Sequence, residues 1–399
     1  MSALTETVTT DADLGRQRLA RAALSYLAEP GDPALGTLLQ ACPPDQVLAA
    51  IKAGELPRAC RETDRARWAA LTRALSRWRL RLPDLPPEDR LAARAAGDAR
   101  IRLACPGDPE WPAALDDLGL AAPCMLWLRG NANLSATAGR SVSIVGSRTA
   151  TGYGAHVAGE IAGDLAEQGW TIVSGGAYGI DAAAHRGALT AGGVTIVVLA
   201  CGVDHAYPAG HDTLFAAIAD AGLIVSELPP GSHPTRLRFL VRNRIIAALT
   251  GGTVVIEAGE RSGALNTARH AAELNRPLMA VPGPVTSAQS AGCHRIIRDF
   301  GGTLVTCAED VRGMLEPIGA DGWTPGRAGS GAADPRDDLD LESARVLDAF
   351  PVRAIVGLST IARKACVEPS TVLRCIGVLA GFGFIERADG GWRLTRKAV

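Results

Sequence analysis

Between residues 101 and 316, short apolar runs rich in Val and Ile alternate with stretches of helical spacing. The runs are VSIV, TIVS, TIVVLA, LIVSE, TVVIEA, LMAVPG and TLVT; HVAGEIAGDLAEQ, TLFAAIADA and LNTARHAAEL lie between them. Runs this short, apolar at nearly every position and bounded by glycines, predict strands covered on both faces. Their alternation with helices predicts βαβ units and a parallel sheet. Right-handed crossovers then make the fold α/β and doubly wound, with ligands expected beyond the carboxyl ends of the strands.

The pattern changes on either side. Residues 1–100 are rich in Ala, Leu and Arg, and LARAALSYLAEP, DQVLAAIKAG and RARWAALTRALSRWRL carry helical spacing, so a helical domain is expected. Residues 317–340, including DGWTPGRAGSGAADPRDDLD, hold few apolar side chains and predict a flexible linker. Residues 341–399 predict helices over Leu341–Phe350, Thr360–Ala365 and Pro369–Ala380, then a hairpin closed by Asp389-Gly390. That is winged-helix order.

Composition excludes more than it selects. The 41 Lys and Arg residues nearly balance 42 Asp and Glu, so an anionic partner must be held by a local patch. Apolar runs are too short to insert in a membrane, and MSALTETVTTDADLG is too polar for a signal peptide, so a cytoplasmic protein is expected. The nine cysteines form no C-x-x-C pair, which argues against both a disulfide framework and a zinc site and suggests buried thiols. No metal is expected.

The chemistry lies in the loops after the strands. VSIV runs into GSRTATGYG, which begins like a phosphate-binding turn but places Ser147 and Arg148 where a dinucleotide site would have bare glycine. TIVS runs into SGGAYGIDAAAH, whose Ser174, Gly175 and Gly176 form a second turn into a helix. Turn glycines and hydroxyls at several helix starts on one sheet edge suit a bound polyanion, through exposed amides and helix dipoles. In RLRFLVRNR, Arg236, Arg238, Arg242 and Arg244 fall within nine residues, and no acidic residue lies between Glu227 and Glu257 to neutralise them. Phe239 offers a stacking face beside planar guanidiniums that match phosphate oxygens. Arg148 and Arg242, on different loops of one edge, should contact one strand through separate phosphates. His185, His205, His211, His270 and His294 lie near loops, with Asp181, Asp204 and Glu257 as conceivable partners. However, no nucleophile elbow, P-loop or metal-ligand spacing accompanies them, so binding is favoured over catalysis.

In their order, VGSRTATGYG, SGGAYGIDAAAH, SELPPG, FLVRNRIIAAL, EAGERSGALNTA and VPGP followed by SAGCHRIIRDFGG resemble the DNA-processing protein A (DprA, also Smf) family. PGDPEWPAALDDLGLAAPCMLWLRG resembles that family's lead-in to its Rossmann-like domain. The resemblance implies a Rossmann-like DNA-binding domain over 101–316, a sterile-alpha-motif-like helical domain over 1–100 and a winged helix over 341–399. It implies a protein that is not an enzyme, uses no cofactor and binds single-stranded DNA without sequence specificity. Such a protein protects incoming strands in natural transformation, helps load the RecA recombinase and forms a homodimer. The family's DNA-contacting arginine falls on Arg148, and its Phe-Pro-x-Arg-Asn motif on Phe239, Arg242 and Asn243, with Leu240 where proline is usual. With them, the candidate contacts are Ser147, Ser174, Gly175, Gly176, Arg238 and Arg244.

Two other classes compete. A Rossmann-type nucleotide hydrolase of the lysine-decarboxylase-like group would carry P-G-G-x-G-T-x-x-E, which EAGERSGALNTA lacks. A winged-helix transcription regulator would need a base-reading helix, whereas Pro369–Ala380 offers only Arg374.

Overall fold

The computed structural model describes residues 11–60, 64–96, 101–316, 339–351 and 354–395. The chain divides into two compact units, Met1–Pro325 and Gly326–Val399. Most of the linker expected over 317–340 lies outside the described residues.

Nine strands form the main sheet: β1 (Ile101–Ala104), β2 (Leu126–Arg129), β3 (Ser141–Val145), β4 (Thr171–Ser174), β5 (Thr195–Val198), β6 (Leu223–Ser226), β7 (Thr253–Val255), β8 (Leu278–Ala280) and β9 (Thr303–Leu304). Their order is β1-β2-β6-β5-β4-β3-β7-β8-β9. From β6 to β9 every pairing is parallel. The seven apolar runs are these parallel strands, so the doubly wound α/β expectation holds. The lead-in adds what the pattern did not foretell: β1 and β2 extend the β6 edge in antiparallel sense. Their sequences, IRLA and LWLR, lack the Val and Ile runs that mark the parallel strands.

Alternation along each strand sends side chains to opposite faces. Val142 and Ile144 pack with Ala158, Ile161 and Leu165 of the helix Gly152–Glu167, and with Ile180 and Ala184 of the helix Ile180–Thr190. Val145, Val173, Ile196 and Val225 face the other way, onto Ile245, Ile246 and Leu249 of the helix Arg236–Leu249. The N-terminal helices belong to the same unit. Leu24, Leu27, Leu38 and Trp78 share a core with Met125, Trp127, Val197 and Ile224.

In the second unit, helices Leu341–Asp348, Leu358–Ala365 and Pro369–Gly381 precede a hairpin of Ile385–Ala388 and Gly391–Leu394. Asp340 caps the first helix by accepting from the Ser343 amide at 2.8 Å, which sets where it starts. Val346, Ile361, Val372, Ile376 and Phe384 form this unit's core.

Candidate nucleic-acid interface

β3 lies between β4 and β7, so the chain leaves β3 towards one side of the sheet and returns to its other side at β7. Loops that leave adjacent strands in opposite directions open a crevice at the carboxyl edge. A cleft of about 400 Å³ occupies that position, lined by Ser147, Arg148, Asp181, Phe239, Arg242, Asn243, Gly259 and the segment Arg261–Ala264, among others.

The cleft wall is built by hydrogen bonds between loops. The Ser147 amide donates to the Glu257 carbonyl at 2.7 Å, and the Ser147 carbonyl accepts from the Ile180 amide at 3.1 Å. The Ser147 hydroxyl accepts from the Thr149 amide at 3.2 Å, which closes a tight turn and aims Arg148 outward. The Glu257 carboxylate, one of the conceivable acids in the sequence, takes both Thr151 donors, the amide at 2.9 Å and the hydroxyl at 2.6 Å. Thr151 in turn caps the helix Gly152–Glu167. Glu257 therefore fixes the helix start and the β7 loop together.

Two guanidiniums meet one aromatic ring. Arg148 lies 4.7 Å and Arg242 6.0 Å from the Phe239 ring centroid. Arg148 is exposed, whereas Arg242 is buried and forms the cleft floor. Arg242 Nη1 donates to the Gly175 carbonyl at 2.7 Å and also to the Val198 carbonyl, tying the ends of β4 and β5 to the helix. Burial pushes the Arg242 guanidinium down to about 10, against the opposing pull of Asp181, so it stays charged at neutral pH. Burial also raises the Asp181 carboxyl, more than Arg242 and the Ala177 amide lower it. Asn243 donates to the Gly263 carbonyl at 3.3 Å and holds the β7 loop against the helix. Among the described residues, no carboxylate forms an ion pair with Arg148, Arg242 or Arg261, in contrast to Arg238 and Arg244. The cleft can thus hold an anion with a planar group beside it.

The structure brings Ser147, Arg148, Phe239, Arg242 and Asn243 to the cleft, but leaves the other five candidates outside its lining. Ser174 is buried and donates its hydroxyl to the Ile144 carbonyl at 2.6 Å. A Cβ on Gly175 would come within 2.6 Å of the Arg242 guanidinium, and Gly176, at φ 73°, has Val197 and Phe215 against it. These two glycines make room for neighbours; they are not laid open to a ligand. Arg238 is held by Glu29 at 2.9 and 3.0 Å, and Arg244 by Glu227 at 2.7 and 2.9 Å. Burial would raise the Glu29 carboxyl, but hydrogen bonds from Arg238 and Arg81 hold it below its ordinary value. The basic run is therefore half neutralised, by carboxylates that do not lie within it. Arg261, Ser262, Thr267 and Gln289 line the cleft without having been singled out. Their signal was available in the arginine of the glycine-bounded ERSG loop.

Three of the five candidate histidines serve backbone and core, whereas His270 meets the Glu273 carboxylate at 3.1 Å and His205 packs edge-on against His233 at 5.4 Å. His185 Nδ1 lies 2.7 Å from the Thr195 hydroxyl, His211 Nδ1 3.0 Å from the Gly176 carbonyl, and His294 Nε2 2.9 Å from the Gly283 carbonyl. The Asp204 carboxylate accepts from the Gly231 amide at 2.9 Å. Among the described residues no cluster of three or more His, Cys, Asp or Glu could hold a metal ion. No helix of the described residues is long and apolar enough to cross a membrane.

This is an α/β protein with a cationic, aromatic-bearing cleft at the switch point of its sheet. Residues 102–316 match the family model for the DNA recombination-mediator protein A, and the chain belongs to that family. A putative DNA processing protein DprA of Mycobacterium tuberculosis is 44% identical over 319 residues, covering 76% of this chain and 81% of the relative. The X-ray structure of DNA processing protein A from Streptococcus pneumoniae is similar with a TM-score of 0.59 at 30% identity, covering 76% of this chain and 98% of that one. DNA processing protein A from Helicobacter pylori, whose structure was described for its single-stranded DNA binding mode, is similar over 53% of this chain and 95% of that one, with 30% identity and a TM-score of 0.48.

Proposed function

We propose that the protein binds single-stranded DNA without sequence specificity in the cleft at the β3–β7 switch point. The observation that carries this reading is the pair of guanidiniums, Arg148 and Arg242, that lie 4.7 and 6.0 Å from the single ring of Phe239. A single strand offers phosphates to the charges and an unpaired base to the ring, whereas a duplex hides its base faces. Contacts of this kind carry no base code. A mononucleotide would use one charge and leave the other without a phosphate.

On this reading residues 101–316 bind DNA, the helices of 1–100 brace that domain, and 341–399 form an accessory winged helix joined by the 317–340 linker. Arg374 of the third C-terminal helix is paired with Glu342, which leaves that helix poorly equipped to read bases and disfavours a transcription regulator. Membership of a recombination-mediator family supports the finer reading that the cytoplasmic protein, as a homodimer, protects incoming strands in transformation and helps load RecA onto them.

The test is a fluorescence-anisotropy titration of single-stranded, duplex and mononucleotide ligands at several salt concentrations. Single strands of any sequence should bind tightest. Arg148→Ala should weaken them all alike and lower the binding-versus-salt slope by about 0.7, the value for one phosphate on single strands. Equal affinity for duplex, or saturation by the mononucleotide, would refute the reading.

A further inference from the structure

The chain has only four tyrosines among its seventeen aromatic residues. Three of them, Tyr153, Tyr178 and Tyr207, are 47%, 51% and 43% exposed. All three follow the carboxyl ends of parallel strands, β3, β4 and β5 respectively. Single exposed aromatics need no explanation, but three of four on one sheet edge, beside an aromatic-bearing cleft, do.

Two of these rings are braced. Tyr207 lies 5.6 Å from Phe239, centroid to centroid, and so continues the ring that already carries Arg148 and Arg242. Tyr178 packs edge-on against His211 at 4.6 Å, and a Cβ on Gly210 would come 2.6 Å from its hydroxyl. Each ring is supported on one side and open on the other. Their loops, SGGAYGID and CGVDHAYPAGH, contain no Lys or Arg, and the Asp204 carboxylate is engaged by the Gly231 amide at 2.9 Å. These loops therefore offer phosphate no guanidinium or ammonium. What they present is flat apolar area, which every base can stack on.

We propose that Tyr207 and Tyr178 are stacking platforms for bases that lie beyond the cleft. They extend the site along the carboxyl edge past β5 and β4. The proposal rests on the single-strand reading above and deepens it. Phosphates are gripped around Arg148, and flanking bases lie on the two tyrosines, so the tyrosines contribute affinity that is insensitive to salt.

The experiment measures binding of oligothymidylates of increasing length, and of abasic strands of the same lengths, at several salt concentrations. It compares the wild type with Tyr178→Ala, Tyr207→Ala, Tyr207→Phe and Arg148→Ala. Each alanine variant should bind long base-bearing strands about 5- to 150-fold more weakly, the range for one lost base–aromatic stack. It should bind abasic strands and the shortest oligonucleotides like the wild type, with an unchanged salt slope. Tyr207→Phe keeps the ring and should stay within about twofold of the wild type. If the alanine variants match the wild type at every length, or lose equally on abasic strands, the platforms are refuted. That outcome is separable from failure of the underlying reading, in which the wild type itself would not prefer single strands and Arg148→Ala would change nothing.

Discussion

Replacing Arg242 by Met should cost stability and DNA affinity together, while replacing Arg148 by Ala should cost affinity and at most about 1 kcal/mol of stability. Arg242 is buried and its guanidinium serves the carbonyls of Gly175 and Val198. A buried acceptor left without its donor costs about 1–3 kcal/mol. Two of them give about 2–6 kcal/mol, before the apolar Met recovers some packing. Arg148 is exposed and its described contact is with the Phe239 face, a cation–π interaction worth about 0.5–1 kcal/mol. Urea unfolding followed by tryptophan fluorescence should separate the two variants clearly.

The same geometry changes the expectation for the double variant. Contacts with separate phosphates would make the two affinity losses add, but both guanidiniums lie over one ring. Groups that share a partner couple by about 0.5–3 kcal/mol. The double variant should therefore lose less affinity than the sum of the single losses, since Arg242→Met already disturbs the ring that Arg148 lies on. Strictly additive losses would show two independent subsites. An Arg242→Met protein within about 0.5 kcal/mol of wild-type stability would show that the two carbonyls do not depend on it.

Two further outcomes test the scaffold. Glu227→Ala should destabilise the first unit by about 3–5 kcal/mol, because it strands the buried Arg244 charge and the Gly31 amide; the double variant Glu227→Leu/Arg244→Met should recover most of that in the same urea titration. Burial holds His185 down from 6.5 to about 3, so the folded state binds fewer protons than the unfolded chain between those values. Stability from this group is full above about pH 6.5 and is lost as pH falls towards 3, by at most about 1.4 kcal/mol per unit; His185→Gln should flatten that fall, and an unchanged pH profile would refute it.

The parallel strands were legible because their Val and Ile runs are bounded by glycine and are apolar at both alternating positions, as burial on two faces requires. Five of the ten candidate contacts reach the cleft for a related reason: strand polarity alone puts the loops after β3 and β6 on one edge. The partners of the basic run were not legible. Glu29 is 209 residues from Arg238, and Glu227 is 17 from Arg244. Counting acidic residues inside the run could not find the first and placed the second at its border.

Helix geometry could have divided the run in advance. At 3.6 residues per turn each residue turns about 100°, so Arg242 and Arg244 diverge by about 200° and cannot enter one cleft. Arg244 accordingly turns to Glu227 and the Ala121 carbonyl, on the side where the N-terminal segment packs. Arg238, one turn before Arg242, differs from it by only about 40° and shares its face. What keeps Arg238 from the cleft is Glu29, which the N-terminal helices bring within 2.9 Å. The N-terminal region thus does more than cover one end of the sheet. By neutralising Arg238 it leaves Arg242 as the guanidinium of this helix face that lies beside Phe239, on the ring that also carries Arg148.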